Sequence, residues 1–369
     1  MSDARIEKLA QVLVQYSVSV RPNDKVYLQG GAVAEPLLKA LFVEVLKAGG
    51  QPYLRAQLSG TEELFYRHAS KAQLEHVAPP VQLIYETYDV MITLWSSSNT
   101  KELTSIPPEK LVTAQRSSRD LFQTFTHRTA SGALRWVGTL FPTAAYAQDA
   151  EMGLSEYEEF VYGACLPSLE DPIGHWQRLS TSQQKLVEWL RGKETVRVQA
   201  PDVDLRMKIA GRTFVNCDGK RNMPDGEVFT GPIEDSVEGH VRFSYPTAYQ
   251  GRRLDGVRIE FKKGRAVKAT ADKGEDFLLR TLDVDEGARY VGEFAIGTNR
   301  GITRATGNTL FDEKINGSFH MALGAGMPET GSRYESAIHW DMVCDLVNGG
   351  RIWVDDQLIY ENGNFLIGT

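Results

Sequence analysis

His339-Trp340-Asp341 places a histidine and a carboxylate two residues apart in a run that reads as a β-strand. Successive side chains of a strand alternate faces, so His339 and Asp341 point one way while Ile338 and Trp340 point the other. Such a pair is a two-pronged claw for a divalent metal. His320, in Ser318-Phe319-His320-Met321-Ala322-Leu323, offers a third ligand. Two acids stand in similarly apolar, glycine-flanked settings: Glu227 in Pro224-Asp225-Gly226-Glu227-Val228-Phe229-Thr230, and Glu293 in Tyr290-Val291-Gly292-Glu293-Phe294-Ala295-Ile296-Gly297. A carboxylate inside an apolar strand is costly unless it is paired or coordinated. Each residue alone has a plainer reading, as a core histidine or a satisfied acid. All five in one half of the chain point to a metal centre.

Charge counting bears on how many ions they would hold. Three carboxylates and two neutral imidazoles leave a net charge of minus one around one divalent ion, whereas two ions and a bridging hydroxide balance it. Ligation by oxygen and nitrogen without thiolate suits zinc, cobalt, manganese or magnesium. Two such ions, about 3.5–4 Å apart, clamp a hydroxide and polarise a carbonyl or phosphoryl oxygen. The expected reaction class is metal-assisted hydrolysis, with the bond that is cut left open. Other signatures are missing: no P-loop, no Gly-x-Gly-x-x-Gly after a strand of the first half, no Gly-x-Ser-x-Gly elbow and no His-Glu-x-x-His. His68, His76, His127 and His175 lie in mixed polar contexts and His240 follows a turn, so all five read as surface or satisfied histidines.

The elements that must position this centre change character along the chain. Its 369 residues exceed one typical core, so two domains are expected. Residues 1–192 alternate helix and strand. The strands Lys25–Leu28, Pro52–Leu58, Asp89–Trp95 and Arg135–Leu140 are separated by helical stretches at Pro36–Leu46, from Thr61, and from Pro107 to about Arg128. That pattern implies an α/β domain with a mainly parallel sheet. Ser155 to Lys193 reads as helical, with breaks near Pro167 and Pro172. Residues 193–369 switch to period two, as in Val203-Asp204-Leu205-Arg206-Met207-Lys208-Ile209 and Val257-Arg258-Ile259-Glu260-Phe261, with one helix at Asp276–Leu282. This half reads as a mainly antiparallel β (α+β) metal-binding domain.

Composition limits the partners. A net charge of −7 argues against a nucleic-acid partner. No run of about 18 apolar residues suggests a membrane span, and the mixed-charge start does not read as a signal peptide. Cys165, Cys217 and Cys344 lie far apart and read as buried free thiols in a reducing cytoplasm.

Four segments together resemble the aminopeptidase T family of metallopeptidases, the thermophilic metalloprotease or leucyl aminopeptidase type. They are Asn222–Thr230, Gly292–Gly297, Leu310–Ile315 leading to His320-Met321-Ala322-Leu323-Gly324, and Ser336–Asp341. They cover the second domain; the first agrees in length and α/β character. The resemblance implies a cytoplasmic homodimeric exopeptidase that removes N-terminal residues from peptides with two divalent ions, on Glu227, Glu293, His320, His339 and Asp341. In that family a tyrosine commonly follows the first ligand histidine by seven residues. Met327 stands there, and Tyr334, seven residues further on, is the candidate to supply a hydroxyl instead; a surface-loop tyrosine is its plainer reading. Glu234 and Asp235 are candidates to bind the substrate amine, or are solvated turn carboxylates. Two rivals remain at this point. One is a mononuclear iron ring-cleaving dioxygenase of related fold, using His320, His339 and Asp341. The other is a non-catalytic dimeric scaffold.

Overall fold

The computed structural model describes residues 3–367, which form two compact units. The first runs to Ile173 and takes back Gly219–Pro224; the second holds Gly174–Asp218 and Asp225 onward.

The first unit is built on a parallel sheet, as the alternating pattern requires. Strands β1 (Lys25–Gly31), β2 (Gln51–Gln57), β3 (Val90–Trp95) and β4 (Arg135–Leu140) pair in the order β2-β1-β3-β4. The two-residue strand Asn222–Met223 adds itself in parallel beside β4. Val90, Met91 and Ile92 are buried, as a strand covered on both faces must be. Between β1 and β2 the helix Glu35–Lys47 carries Pro36 in its first turn and stops before Gly49, whose φ of 81° the terminating turn requires. The helical stretch expected as one piece from Pro107 is two helices, Pro108–Ser117 and Arg119–Ala130. At the break the hydroxyls of Ser117 and Ser118 both bond the carbonyl of Ala114, a local alternative to the helical ladder.

The second unit is antiparallel. One sheet of eight strands takes in Thr195–Ala200, Val203–Lys208, Glu238–Arg242, Arg258–Lys262 and Arg351–Val354. A second sheet orders its five strands His339–Asp345, Ser318–Gly324, Val291–Gly297, Glu227–Thr230 and Val215–Cys217. Phe294, Ile296, Phe319, Met321, Leu323, Trp340 and Met342 feed one continuous apolar core. The helix Pro172–Leu190 precedes the change of periodicity near Gly192 yet packs with this unit. Its Gln183 amide donates to the Asn216 side chain at 2.6 Å and to the carbonyls of Cys217 and Glu227 at 2.9 and 3.2 Å.

Candidate metal centre

Register brings the five chemistry-bearing side chains together. Gly297 pairs with Glu227, Ala295 with His320, Ala322 with Asp341, and Gly324 with His339. Glu293 lies two residues before Ala295, hence on the same face. One face of four neighbouring strands therefore carries Glu227, Glu293, His320, His339 and Asp341. Ala295, Gly297, Ala322 and Gly324, which pair directly with ligand residues, are small and leave room above the sheet. The other face is the apolar core, so alternation within each strand separates the two environments.

The contacts are close. His320 Nε2 lies 3.1 Å from Glu293 Oε1 and 3.4 Å from Glu227 Oε2. His339 Nε2 lies 3.7 Å from Glu293 Oε2 and 3.5 Å from Asp341 Oδ1. Both imidazoles are oriented from behind: His320 Nδ1 sits 2.9 Å from the carbonyl of Glu313, and His339 Nδ1 sits 2.8 Å from that of Ala325. A carbonyl only accepts, so each Nδ1 carries the hydrogen and each Nε2 faces the carboxylates.

Electrostatics records the crowding. Burial works against a charged His320, but the Glu293 hydrogen bond and the charges of Glu227, Glu293 and Asp341 outweigh it and raise the imidazolium to about 10. His339 is likewise lifted to about 10, against burial, chiefly by Asp341. Burial alone would raise Asp341; His339 and His320 pull it down to about 2. Glu227 is pushed up to about 8, first by burial. Without a metal, protons hold the carboxylates together.

Glu313, Asp225 and Lys314 join this centre without a separate signal in the sequence. Glu313, His320 and Asp341 form a further group with ligand atoms within 4.8 Å of one another, as do Cys217, Asp225 and Glu227. Lys314 is fully buried, its ammonium 3.7 Å from Glu227 Oε1 and bonded to Glu313. Its charge offsets that of Glu313, while the buried Asp225 adds one carboxylate to the three counted among the first five. Asp312-Glu313-Lys314 reads locally as a solvated charge run, and only burial reveals otherwise. Cys217, expected to be buried, is half-buried.

Tyr334 stacks on Tyr290 with ring centroids 4.3 Å apart, and its phenol is held protonated by burial and by Tyr290. Glu234 receives the Arg212 guanidinium at 2.6 Å and the Arg333 amide at 2.9 Å. Asp235 is exposed.

A model of the thermophilic metalloproteases (M29) matches residues 2–365. The chain belongs to the thermophilic metalloprotease (M29) family. It is therefore a metal-dependent hydrolase. Aminopeptidase T of Thermus thermophilus is 28% identical to it over 97% of this chain and 95% of its own. Aminopeptidase 2 of Geobacillus stearothermophilus is 24% identical over 88% and 84%. The solved structure of wild-type AmpT from Thermus thermophilus shares the fold at a TM-score of 0.83 and 23% identity, covering 98% of this chain and 99% of that one. A 2,5-dihydroxypyridine dioxygenase from Pseudomonas putida shares it at 0.60 and 14%, covering 98% and 96%. Fold alone thus spans both a peptidase and a dioxygenase, and the family match separates them.

The divalent metal implied for an M29 metalloprotease fits the residues present. Glu227 Oε2 and Asp341 Oδ1 are buried with no hydrogen-bond partner, and both lie at the centre. Buried carboxylate oxygens without donors are costly, and a cation satisfies them. The donor set of carboxylates and backbone-oriented imidazoles is what hard and borderline divalent ions prefer.

Proposed function

We propose that the enzyme holds two divalent ions on a shared carboxylate, Glu293, one with Glu227 and His320 and the other with His339 and Asp341. The observation that carries this reading is that Glu293 belongs to both groups of convergent ligand atoms, Glu227–Glu293–His320 and Glu293–His339–Asp341. Zinc, cobalt, manganese or magnesium would suit the site. By family and relatives the enzyme is a metal-dependent aminopeptidase. Bound ions supply an acidified water and an electrophile for the scissile carbonyl.

The chain's own residues set the geometry. The carbonyls of Glu313 and Ala325 fix both imidazole tautomers, and the core side chains beneath the sheet keep the ligand strands from shifting register. Lys314 neutralises Glu313, and with Asp225 four carboxylates remain, a charge that two divalent ions would offset. Glu234 is committed to Arg212 and Asp235 is exposed to water, which favours the centre itself as the place for a substrate's free amine. Facial ligation of one iron by His320, His339 and Asp341 would leave the buried Glu227 and Glu293 without a role. A second copy of the chain would cover the outer strip of helix Glu35–Lys47, where Phe42, Val43 and Leu46 stand 36%, 49% and 53% exposed. Three free cysteines suit a reducing, cytoplasmic setting. No helix among the described residues is long and apolar enough to cross a membrane.

The test is direct. Purified enzyme should carry about two divalent ions per chain, and an N-acetylated peptide should be a far poorer substrate than its free-amine form. A single ion per chain refutes the shared carboxylate, and equal rates on the two peptides refute recognition of the amine.

A further inference from the structure

The first unit holds a crevice at the carboxyl ends of its parallel strands. In its strand order the chain passes from β1 to β2 on one side, while β3 pairs on the other. Open parallel sheets bind ligands outside the carboxyl ends of their strands at such a switch point. Here a cavity of about 320 Å³ opens at those ends, bordered by Gly30 and Gly31 of β1 and by Ser96-Ser97-Ser98 after β3.

The fold rule names a place, and the side chains say what fits it. One sheet face is apolar at first: Tyr27, Tyr53 and Met91 lie abreast on three strands, Tyr27 and Met91 packed with Ile84 and Leu134. Two residues on, toward the cavity, Gln29, Arg55 and Thr93 lie abreast, and the Gln29 amide donates to the Thr93 hydroxyl at 2.9 Å. Gln29 and Thr93 are half-buried on the inner strands, where a covered sheet has no structural need of a polar pair, and Arg55 is exposed on the edge strand beside them. Trp95 closes the row with its ring over Gly138, where a Cβ would come within 2.5 Å of it.

Among the described residues Arg55 is the one cation lining this cavity, and Glu62 and Glu102 line it as well. The two acids are near each other: burial first, then the charges of Glu62 and Glu63, raise the Glu102 carboxyl above its usual range. Two acids to one base oppose a phosphate-rich ligand and suit one that carries an ammonium beside a carboxylate. A second cavity shares Arg55, Gln57 and Glu62 and continues along Phe65, Tyr66 and Ala72. The charged residues thus sit where a polar chamber meets a more apolar one.

We propose that this is a binding site for a free α-amino acid, its carboxylate on Arg55, its ammonium at Glu62 and Glu102, and an apolar side chain toward Phe65 and Tyr66. Binding rests on these residues alone; only a product-sensing role rests on the aminopeptidase reading.

Calorimetric titration of the intact chain, chelated to empty the metal centre, tests it with three probes: leucine, N-acetylleucine and leucinamide. Leucine should bind, and the two blocked forms should each bind roughly tenfold more weakly or worse, having lost one charge-assisted contact. Arg55→Met and Glu62→Gln should each lose leucine binding while the melting temperature holds, since Arg55 is exposed and Glu62 only half-buried. If either variant fails to fold, the blocked probes on the natural chain decide alone. Absence of leucine binding to the chelated chain overturns the proposal, as does equal binding of all three probes or undiminished binding by folded Arg55→Met. Leucine that binds only after metal is restored belongs to the metal centre and overturns it too. A chain without peptidase activity that still binds leucine in this pattern would refute the aminopeptidase reading and leave this site standing.

Discussion

Replacing Glu293 by glutamine removes one charge from the metal centre while keeping the side chain's shape. The carboxylate lies 3.1 Å from one imidazole nitrogen and 3.7 Å from the other. Its oxygens are also within 4.8 Å of ligand oxygens of Glu227 and Asp341. At about pH 9, where Glu227 is ionised above its pKa of about 8 while both imidazoles, lifted to about 10, keep their protons, an effective dielectric constant of about 20 gives an attraction to two imidazolium ions of roughly 10 kcal/mol and a repulsion from two carboxylates of roughly 7 kcal/mol. The two largely cancel, so the metal-free Glu293→Gln enzyme should unfold within about 3 kcal/mol of the natural one at about pH 9. Ion affinity has no such cancellation. Each ion loses a charged ligand, and because Glu293 is in both triads both ions weaken together. Loss of even an outer hydrogen-bonding partner typically costs about 10–100-fold in affinity, so a drop of roughly 100-fold or more is expected for each ion. Elemental analysis after dialysis, zinc titration calorimetry and turnover of a free-amine peptide read this out, with a melting curve of the chelated protein as the control for folding. Near-complete loss of metal and turnover, with a chelated protein that still melts cooperatively and within about 3 kcal/mol of the natural one, is the expected result. Natural affinity for two ions, or loss of one ion with the other untouched, would refute the sharing of Glu293.

Further outcomes follow from the same geometry. His320 and His339, lifted from 6.5 to about 10, contribute stability that is complete below pH 6.5 and gone above about 10, and Glu227, lifted from 4.5 to about 8, acts in the same direction. Asp341, lowered from 3.8 to about 2, loses its contribution only as pH falls through that range. The chelated enzyme should therefore melt at progressively lower temperature from pH 6.5 to 10, while the metal-loaded enzyme changes less because ions replace the protons; parallel profiles would contradict this. Lys314→Met leaves Glu313 and Glu227 without their buried cation and should destabilise the metal-free protein by about 3–5 kcal/mol in denaturant titration, and an unaltered midpoint would show that the acids pair elsewhere. Tyr334→Phe tests the phenol. A donor to the developing oxyanion is worth on the order of 10²–10³ in turnover, whereas a phenol committed to Tyr290 leaves turnover alone and makes Met327→Tyr the accelerating change. The stacking on Tyr290 favours the second outcome, and a slow Tyr334→Phe enzyme with full metal content would overturn it.

Local pattern carried much of this protein. Period two placed His339 and Asp341 on one face and Trp340 on the other, and the strand pairings keep them so. Runs such as Val90–Trp95 between helical stretches were enough for a parallel sheet, because burial on both faces leaves its mark on composition. Strand order and register are another matter. That Gly297 faces Glu227, and that Ala295 and Ala322 separate the ligands, depends on pairing between segments far apart in sequence, to which no local periodicity is sensitive. The same holds for Asn222–Met223, too short to register as a strand until β4 is beside it. Lys314 shows the limit most plainly. In sequence it closes a charged tripeptide of the kind that normally lies in water. In the folded chain its ammonium is fully buried between Glu227 and Glu313. The sequence determined which residue types could bind metal and which face each would take. The tertiary structure alone decided how many charges converge there, because that number depends on which strands and turns become neighbours.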